Sequence, residues 1–344
     1  IYASAVDGLA EAVALWNGRV LAVGSASDIA ALRGPSTRMI DLRGRLATPG
    51  LYEAHLHLLP LGLMMGDVDV RPRHARTLDD LLRLIKARVD KAKPGEWVLA
   101  RGYDQFELDV KRHPHRSELD AIAPNNPVYL VRACGHLSVV NSRALELAGV
   151  TVDTPVPQGG AIEQVNGVLT GLLAETGRDP IKKVLPDPSR EELVAAIERA
   201  ARYCNSFGIT SCMDAAVGMR SGYREIVAYR EARRTGRMPI RVNQCLLGGP
   251  NGILERCFEE GLVSGEGDDM LRVGPVKIFT DGSAGGRTAA MSSPYLGEPE
   301  TKGFMIITDA ERAAPSLASE AKDVHHAVHA NRVAAIEQTL SAME

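Results

Sequence analysis

From Ser189 to about residue 282 the chain alternates between two kinds of periodicity, and that alternation limits the folds open to it. "SREELVAAIERAARYCNSFG" opens with a capping box, Ser189 to Glu192, and spaces its apolar residues for a helix that stops at Gly208. "ITSCMDA" reads as a strand, "GYREIVAYREARRTG" as a helix, "IRVNQCLLG" as a strand, "GILERCFEEG" as a helix and "LRVGPVKIFTDG" as a strand. Strands that take turns with helices pair in parallel, as βαβ units. The expected class is α/β.

Upstream the pattern differs. "AEAVALWNGRVLAVG" predicts two short strands joined at Asn17-Gly18, the strongest short hairpin signal. "TRMIDLRG" adds a further strand, giving a small β module over residues 1–49. Residues 50–344 are then the main domain, within which 67–188 are less regular and rich in Pro and Gly. That segment holds the strands "EWVLARG" and "PVYLVRA" and is expected as an insertion. A closed (β/α)8 barrel takes ~250 residues, whereas residues 50–344 less an insertion of about 120 leave roughly 175. Either the barrel is unfinished or residues are absent from the chain, its C-terminal part above all. The first residue is Ile1 and not Met, which leaves the true start open.

Composition narrows the partners. Charged residues make up 24% and the formal net charge is −3, so no nucleic-acid or membrane-surface footprint is expected. No apolar run approaches the roughly 18 residues of a membrane span. The five cysteines are scattered and lack any Cys-x-x-Cys spacing, which predicts a reducing, cytoplasmic setting and argues against a thiolate zinc site. A small-molecule substrate and a homodimeric assembly are the remaining expectations.

Candidate chemistry begins at "TPGLYEAHLHLLPLG". Side chains alternate along a strand, so His55 and His57 point one way while Ala54, Leu56 and Leu58 point the other. Two adjacent imidazoles pack a core poorly but suit one metal ion. Lys277, between Val276 and Ile278, shares its face with Phe279 and Asp281. A lysine aimed into a barrel interior loses hydration and favours its neutral form, open to carbamylation by CO2. An ion pair from Lys277 to Asp281 is the structural alternative. In "VHHAVHA", alternation leaves His325, Ala327 and His329 on one face. The glycines of "DGSAGGRT" lack the Gly-Lys-Ser/Thr ending of a phosphate loop, so a barrel-mouth turn is the better reading.

Five stretches in order, "TPGLYEAHLHLLPLG", "RGYDQ", "LVRACGHLSVVNSRALELAG", "GVLTGLLAE" and "VKIFTDGSAGGRTAAM", resemble the metal-dependent amidohydrolases of the family-3, YtcJ-like group, which includes N-substituted formamide deformylases. The resemblance runs from about residue 10 to the chain's end. It implies a (β/α)8 TIM-like barrel with a small β-sandwich module and an insertion after the first barrel strand. The first strand would supply His55 and His57, the fourth Lys277 and the fifth His329. Glu175 is a further candidate ligand, Lys277 and Asp281 the catalytic candidates, and His136 and Asp104 the candidates for touching substrate. One or two divalent ions, Zn2+ first among them, and a CO2-derived carbamate on Lys277 are the implied cofactors. The implied reaction is hydrolysis of a non-peptide C–N bond, of amide or formamide type, by metal-activated water. Two other readings stand beside it: a barrel that only binds a ligand or partner, and a metal-dependent lyase or isomerase. The chain departs from the family where His329-Ala330 runs straight into "NRVAAIEQTLSAME", and it offers no counterpart for the sixth-strand histidine or the eighth-strand aspartate.

Overall fold

The computed structural model describes residues 1–4, 8–157, 160–249, 252–281, 289–296, 302–303, 305–306, 325–330 and 333–341. "DGSAGGRT" lies almost wholly outside them; only Asp281 is described.

The N-terminal residues form two hairpin-like pairs. Strands β1 (Tyr2–Ser4) and β2 (Gly8–Leu9) pair antiparallel, as do β3 (Ala12–Trp16) and β4 (Arg19–Gly24). The second pair turns at Asn17 and Gly18, with φ of 50° and 73°, the left-handed geometry that a tight two-residue hairpin demands. A short helix, α1 (Ala26–Ala30), follows, capped by Ser25. The strand expected over "TRMIDLRG" is not formed: Met39 and Ile40 are 64% and 70% exposed, and the segment is irregular. Apolar residues make a strand only when a neighbour takes up the backbone groups, and no described strand runs alongside.

Strand β5 (Leu51–Leu56) leads directly into helix α2 (Leu58–Met64). A second sheet comes next in the chain. It comprises β6 (Val68–Asp69), β7 (Val98–Tyr103), β8 (Val128–Arg132), β9 (Leu137–Val140), β10 (Gly160–Val165) and β11 (Val168–Glu175), in the order β10-β11-β9-β8-β7-β6. Helices α3 (Leu78–Val89), α4 (Arg116–Ile122), α5 (Ser142–Leu147) and α6 (Asp179–Val184) belong to this stretch. Alternation along β8 divides its cores: Val128 and Leu130 pack with Leu81 and Ile85, while Tyr129 and Val131 pack with Leu145 and Ile181.

The chain then returns to the first sheet through α7 (Arg190–Ser206), whose N-terminus carries the expected Ser189–Glu192 capping box. Next come β12 (Ile209–Val217), α8 (Arg224–Arg234), β13 (Arg241–Leu247), α9 (Leu254–Glu259), β14 (Leu271–Phe279), β15 (His326–His329) and α10 (Val333–Ser341). These strands form a wholly parallel sheet in the order β15-β14-β13-β12-β5, a half-barrel. Strands "EWVLARG" and "PVYLVRA" sit in the other sheet, so β12 is the stave that follows β5.

One core joins the parallel sheet to its helices, with Leu193, Ile197, Ala200 and Cys204 of α7 and Ile226 and Tyr229 of α8 against Val242, Leu246, Val276 and Ile278. Helix α2 lies so close to α7 that a Cβ on Gly62 would stand 1.9 Å from the Ala196 carbonyl oxygen. The Arg199 guanidinium donates to the Gly62 carbonyl at 2.8 Å and 3.2 Å, fastening the same crossing. Among the described residues no helix is long and apolar enough to cross a membrane.

Candidate metal centre

Strict alternation is not how β5 aims its histidines. Glu53 lies opposite Cys212 and Leu56 opposite Asp214, so β5 advances three residues where β12 advances two. One residue is extra, a bulge of a kind seldom found in parallel pairs and enriched beside active sites. The His55 amide donates to Glu53 Oε1 at 3.2 Å, within the bulge. Beyond it the two rings meet edge to face, centroids 5.7 Å apart at 89°. His57 stands at the strand-to-helix junction, in the N-cap position of α2. Its Nδ1 is sealed from solvent and has no hydrogen-bond partner among the described residues.

Lys277 and Phe279 share the face of β14 opposite to Val276 and Ile278, which pack on the helices. The lysine is 4% exposed and its Nζ lies 4.9 Å from the centre of the Phe279 ring. It makes no ion pair among the described residues, so the structural pairing with Asp281 is absent. Burial lowers its pKa, against a smaller upward pull from the nearby Cys245 thiol. Cys245, on β13, is itself pushed up to about 11 by burial.

His329 pairs with Phe279 across the sheet, their ring centroids 5.3 Å apart. Its backbone carbonyl accepts from both the amide and the hydroxyl of Thr280, at 3.0 Å and 2.6 Å. Its Nε2 stands 3.8 Å from Oδ1 of Asp281, a buried carboxylate whose Oδ2 accepts the Ala290 amide at 3.1 Å. Burial lowers the pKa of His55, and the charges of Lys277 and His329 lower it further. His57 follows the same order, burial first, then His55, Lys277 and His329. His55, His57, Lys277 and His329 therefore sit within one another's field. His326, paired with Val276, belongs to the opposite face, and His325 is exposed.

A buried imidazole nitrogen without a partner among the described residues, beside a second imidazole, suits a divalent cation: neutral histidine is a ligand for Zn2+, and the lowered pKa values favour the neutral rings. Among the described residues no group of three or more His, Cys, Asp and Glu side chains is gathered closely enough to hold an ion. His55 and His57 thus supply two donors, and Lys277 and His329 flank them.

Other expected residues stand on the six-stranded sheet. Asp104 follows β7 and is engaged by Arg132 at 3.0 Å, its Oδ1 also accepting the Phe106 amide at 3.0 Å. His136 lies in the turn between β8 and β9, where its amide donates to the Cys134 sulfur. Glu175 ends β11, and its side chain lies outside the described residues. Two polar residues missed in the sequence reading are Arg178, which bonds the Tyr129 hydroxyl and the Gly135 carbonyl, and Asp214, fully buried on β12. For Asp214 a signal existed: a lone acid in the apolar strand "ITSCMDA" needs a buried partner.

Comparisons with known proteins agree on one family. Residues 38–344 match the model of the amidohydrolase family. The chain is 30% identical over 344 residues to YtcJ of Bacillus subtilis (strain 168), covering 97% of this chain and 62% of that protein. It is 31% identical over 281 residues to the N-substituted formamide deformylase of Arthrobacter pascens, covering 79% and 51% respectively. An uncharacterized metal-dependent hydrolase from Pyrococcus furiosus superposes with a TM-score of 0.77 at 30% identity, over 96% of this chain and 65% of that one. The chain spans between half and two-thirds of the length of these relatives. With the match running through the histidine pair, the parallel strands and Lys277, the chain belongs to the amidohydrolase family.

Proposed function

We propose that this protein is a metal-dependent hydrolase that cleaves a non-peptide C–N bond of amide or formamide type. The observation that carries the reading is the His55–His57 pair, with the buried, partnerless Nδ1 of His57, within the field of a buried Lys277. The deformylase of Arthrobacter pascens supports the bond type. The parallel half-barrel is read as part of a complete (β/α)8 barrel with the N-terminal hairpins in a companion sandwich. The segment over 67–188 is read as an insertion, as its separate sheet supports.

His55 and His57 would hold the cation, Zn2+ being an ion well suited to imidazole ligands. When bound, such an ion supplies Lewis acidity, polarising a carbonyl and making water a better nucleophile near neutral pH. Lys277, desolvated beside Phe279, favours its neutral amine, which could add CO2 with loss of a proton to give a carbamate anion, a group that would suit a cation held by the histidines. Asp281 faces His329 and holds that imidazole in place for ligation, and Phe279 shields the lysine from water. His136 and Asp104 are assigned to the substrate side, and Glu175 is kept as a further candidate metal ligand. The five free cysteines fit a cytoplasmic setting.

The test is removal and return of metal. Chelator-treated full-length protein should lose hydrolysis of simple N-substituted formamides and amides and regain it with Zn2+. Equal turnover by metal-free protein would overturn the proposal, as would a parent protein that binds no metal.

A further inference from the structure

The geometry points to Asp214 as a positioning residue for the histidine pair: from the neighbouring strand it caps the turn that carries His57. Nothing in the His-x-His motif includes it. Asp214 lies opposite Leu56, the residue between the two histidines, in the β12–β5 register. Helix α2 starts immediately after His57, and the His57 side chain makes no capping bond to it. The first amides of that helix need acceptors from elsewhere. Asp214 Oδ2 provides one, accepting the Leu59 amide at 3.3 Å. The same oxygen accepts the Tyr229 hydroxyl from α8, and both Asp214 and Tyr229 are fully buried.

One oxygen atom thus joins three elements: β12, which bears the acid; α8, whose Tyr229 donates to it; and the first turn of α2. Further along α2, the close approach of Gly62 to Ala196 prevents the helix from sliding to compensate. The turn over 56–59 is held at both sides, so the direction in which His57 leaves the backbone is set by Asp214. Its Oδ1 has no partner among the described residues, and an acid in the helix-facing core is costly packing. An apolar residue would serve stability alone at least as well.

The inference rests on the metal-centre reading, and the experiment separates the two. Zn2+ affinity of the full-length protein is measured by competition with a chromogenic chelator, alongside the visible spectrum of the Co2+-loaded form. Three variants are compared with the parent: Asp214→Leu, Asp214→Asn and Tyr229→Phe. Asp214→Leu removes the acceptor and should weaken Zn2+ binding by roughly 10–100-fold, the loss typical of residues that orient a ligand, and alter the Co2+ bands. Asp214→Asn retains a carbonyl oxygen for both donors and should restore affinity and spectrum to near the parent's. Tyr229→Phe keeps the Leu59 contact, so it should lower thermal stability while leaving both metal readouts nearly unchanged. If Asp214→Leu fails to fold, Asp214→Ser, too short to reach the Leu59 amide, carries the same expectation. Parent-like Zn2+ affinity and Co2+ bands in the acceptor-less variant would overturn the inference, as would an equal loss in Tyr229→Phe. A parent that binds no Zn2+ would overturn the metal reading itself and this inference with it.

Discussion

Replacing Gly62 by Ala sets two physical effects of opposite sign against each other. Gly62 has ordinary helical geometry, so on propensity alone alanine should stabilise α2 by about 1 kcal/mol. The new Cβ, however, would stand 1.9 Å from the Ala196 carbonyl oxygen, where ordinary contact begins at 3.4 Å. The helices have to separate by the difference, 3.4 − 1.9 = 1.5 Å, and because the obstructing atom is backbone no rotamer can relieve it. Overpacking of this kind costs about 1–3 kcal/mol and sometimes more, and the two Arg199 bonds to the Gly62 carbonyl are stretched as well. An overlap of 1.5 Å against backbone puts the steric cost at the upper end, about 3 kcal/mol against a gain of about 1, leaving a net loss of about 2 kcal/mol. For a chain of 344 residues that corresponds to a fall of about 3 °C in Tm. Calorimetry of the metal-free protein reads it, and Zn2+ affinity should fall too, since His57 stands at the N-terminus of the displaced helix. A Gly62→Ala variant that melts higher than the parent would refute the close α2–α7 crossing.

Further outcomes follow from the site. His55→Ala or His57→Ala should remove most bound metal while leaving the fold intact, as checked by elemental mass spectrometry and circular dichroism; a double variant with stoichiometric metal would end the ligand assignment. Lys277→Ala should weaken metal binding only where bicarbonate strengthens it in the parent; equal binding by both proteins, whatever the bicarbonate, excludes a carbamate role. Burial pushes the Asp214 carboxyl up to about 6 from an ordinary 3.8. Between these values the folded chain keeps a proton that the unfolded chain has released, so stability declines as pH rises from about 4 to 6, by about 3 kcal/mol from this group. Asp214→Asn should flatten that part of a urea-denaturation pH profile, and an unchanged slope would count against the burial argument.

What could be read from the sequence and what could not divide along one line, the range of the interaction. The Asn17-Gly18 turn and the Ser189–Glu192 capping box are decided by neighbours in the chain, and both are found where the residues placed them. The βαβ order after Ser189 likewise follows from periodicity, each strand burying its helix-facing residues against the helices of the parallel sheet. Met39 and Ile40 carry a strand's composition yet form none, because a strand is a property of two segments and their sequence describes only one. The sheet joining β6 to β11 has the same origin: its order depends on pairings that periodicity does not encode.

The histidine pair shows how local and long-range terms meet in one site. Alternation puts His55 and His57 on one face, but the register against β12 contains an extra residue before Leu56, so strand parity alone does not bring the rings together. They stay together because β5 ends at Leu56 and His57 already belongs to the cap of α2, where strand parity no longer applies. The rings converge across a junction and not along a strand. Its geometry depends on what holds α2: Asp214 at the first turn and the Gly62–Ala196 crossing farther along. A motif of three residues supplies the histidines, while a carboxylate far away in sequence and a glycine inside a helix hold the helix that follows them.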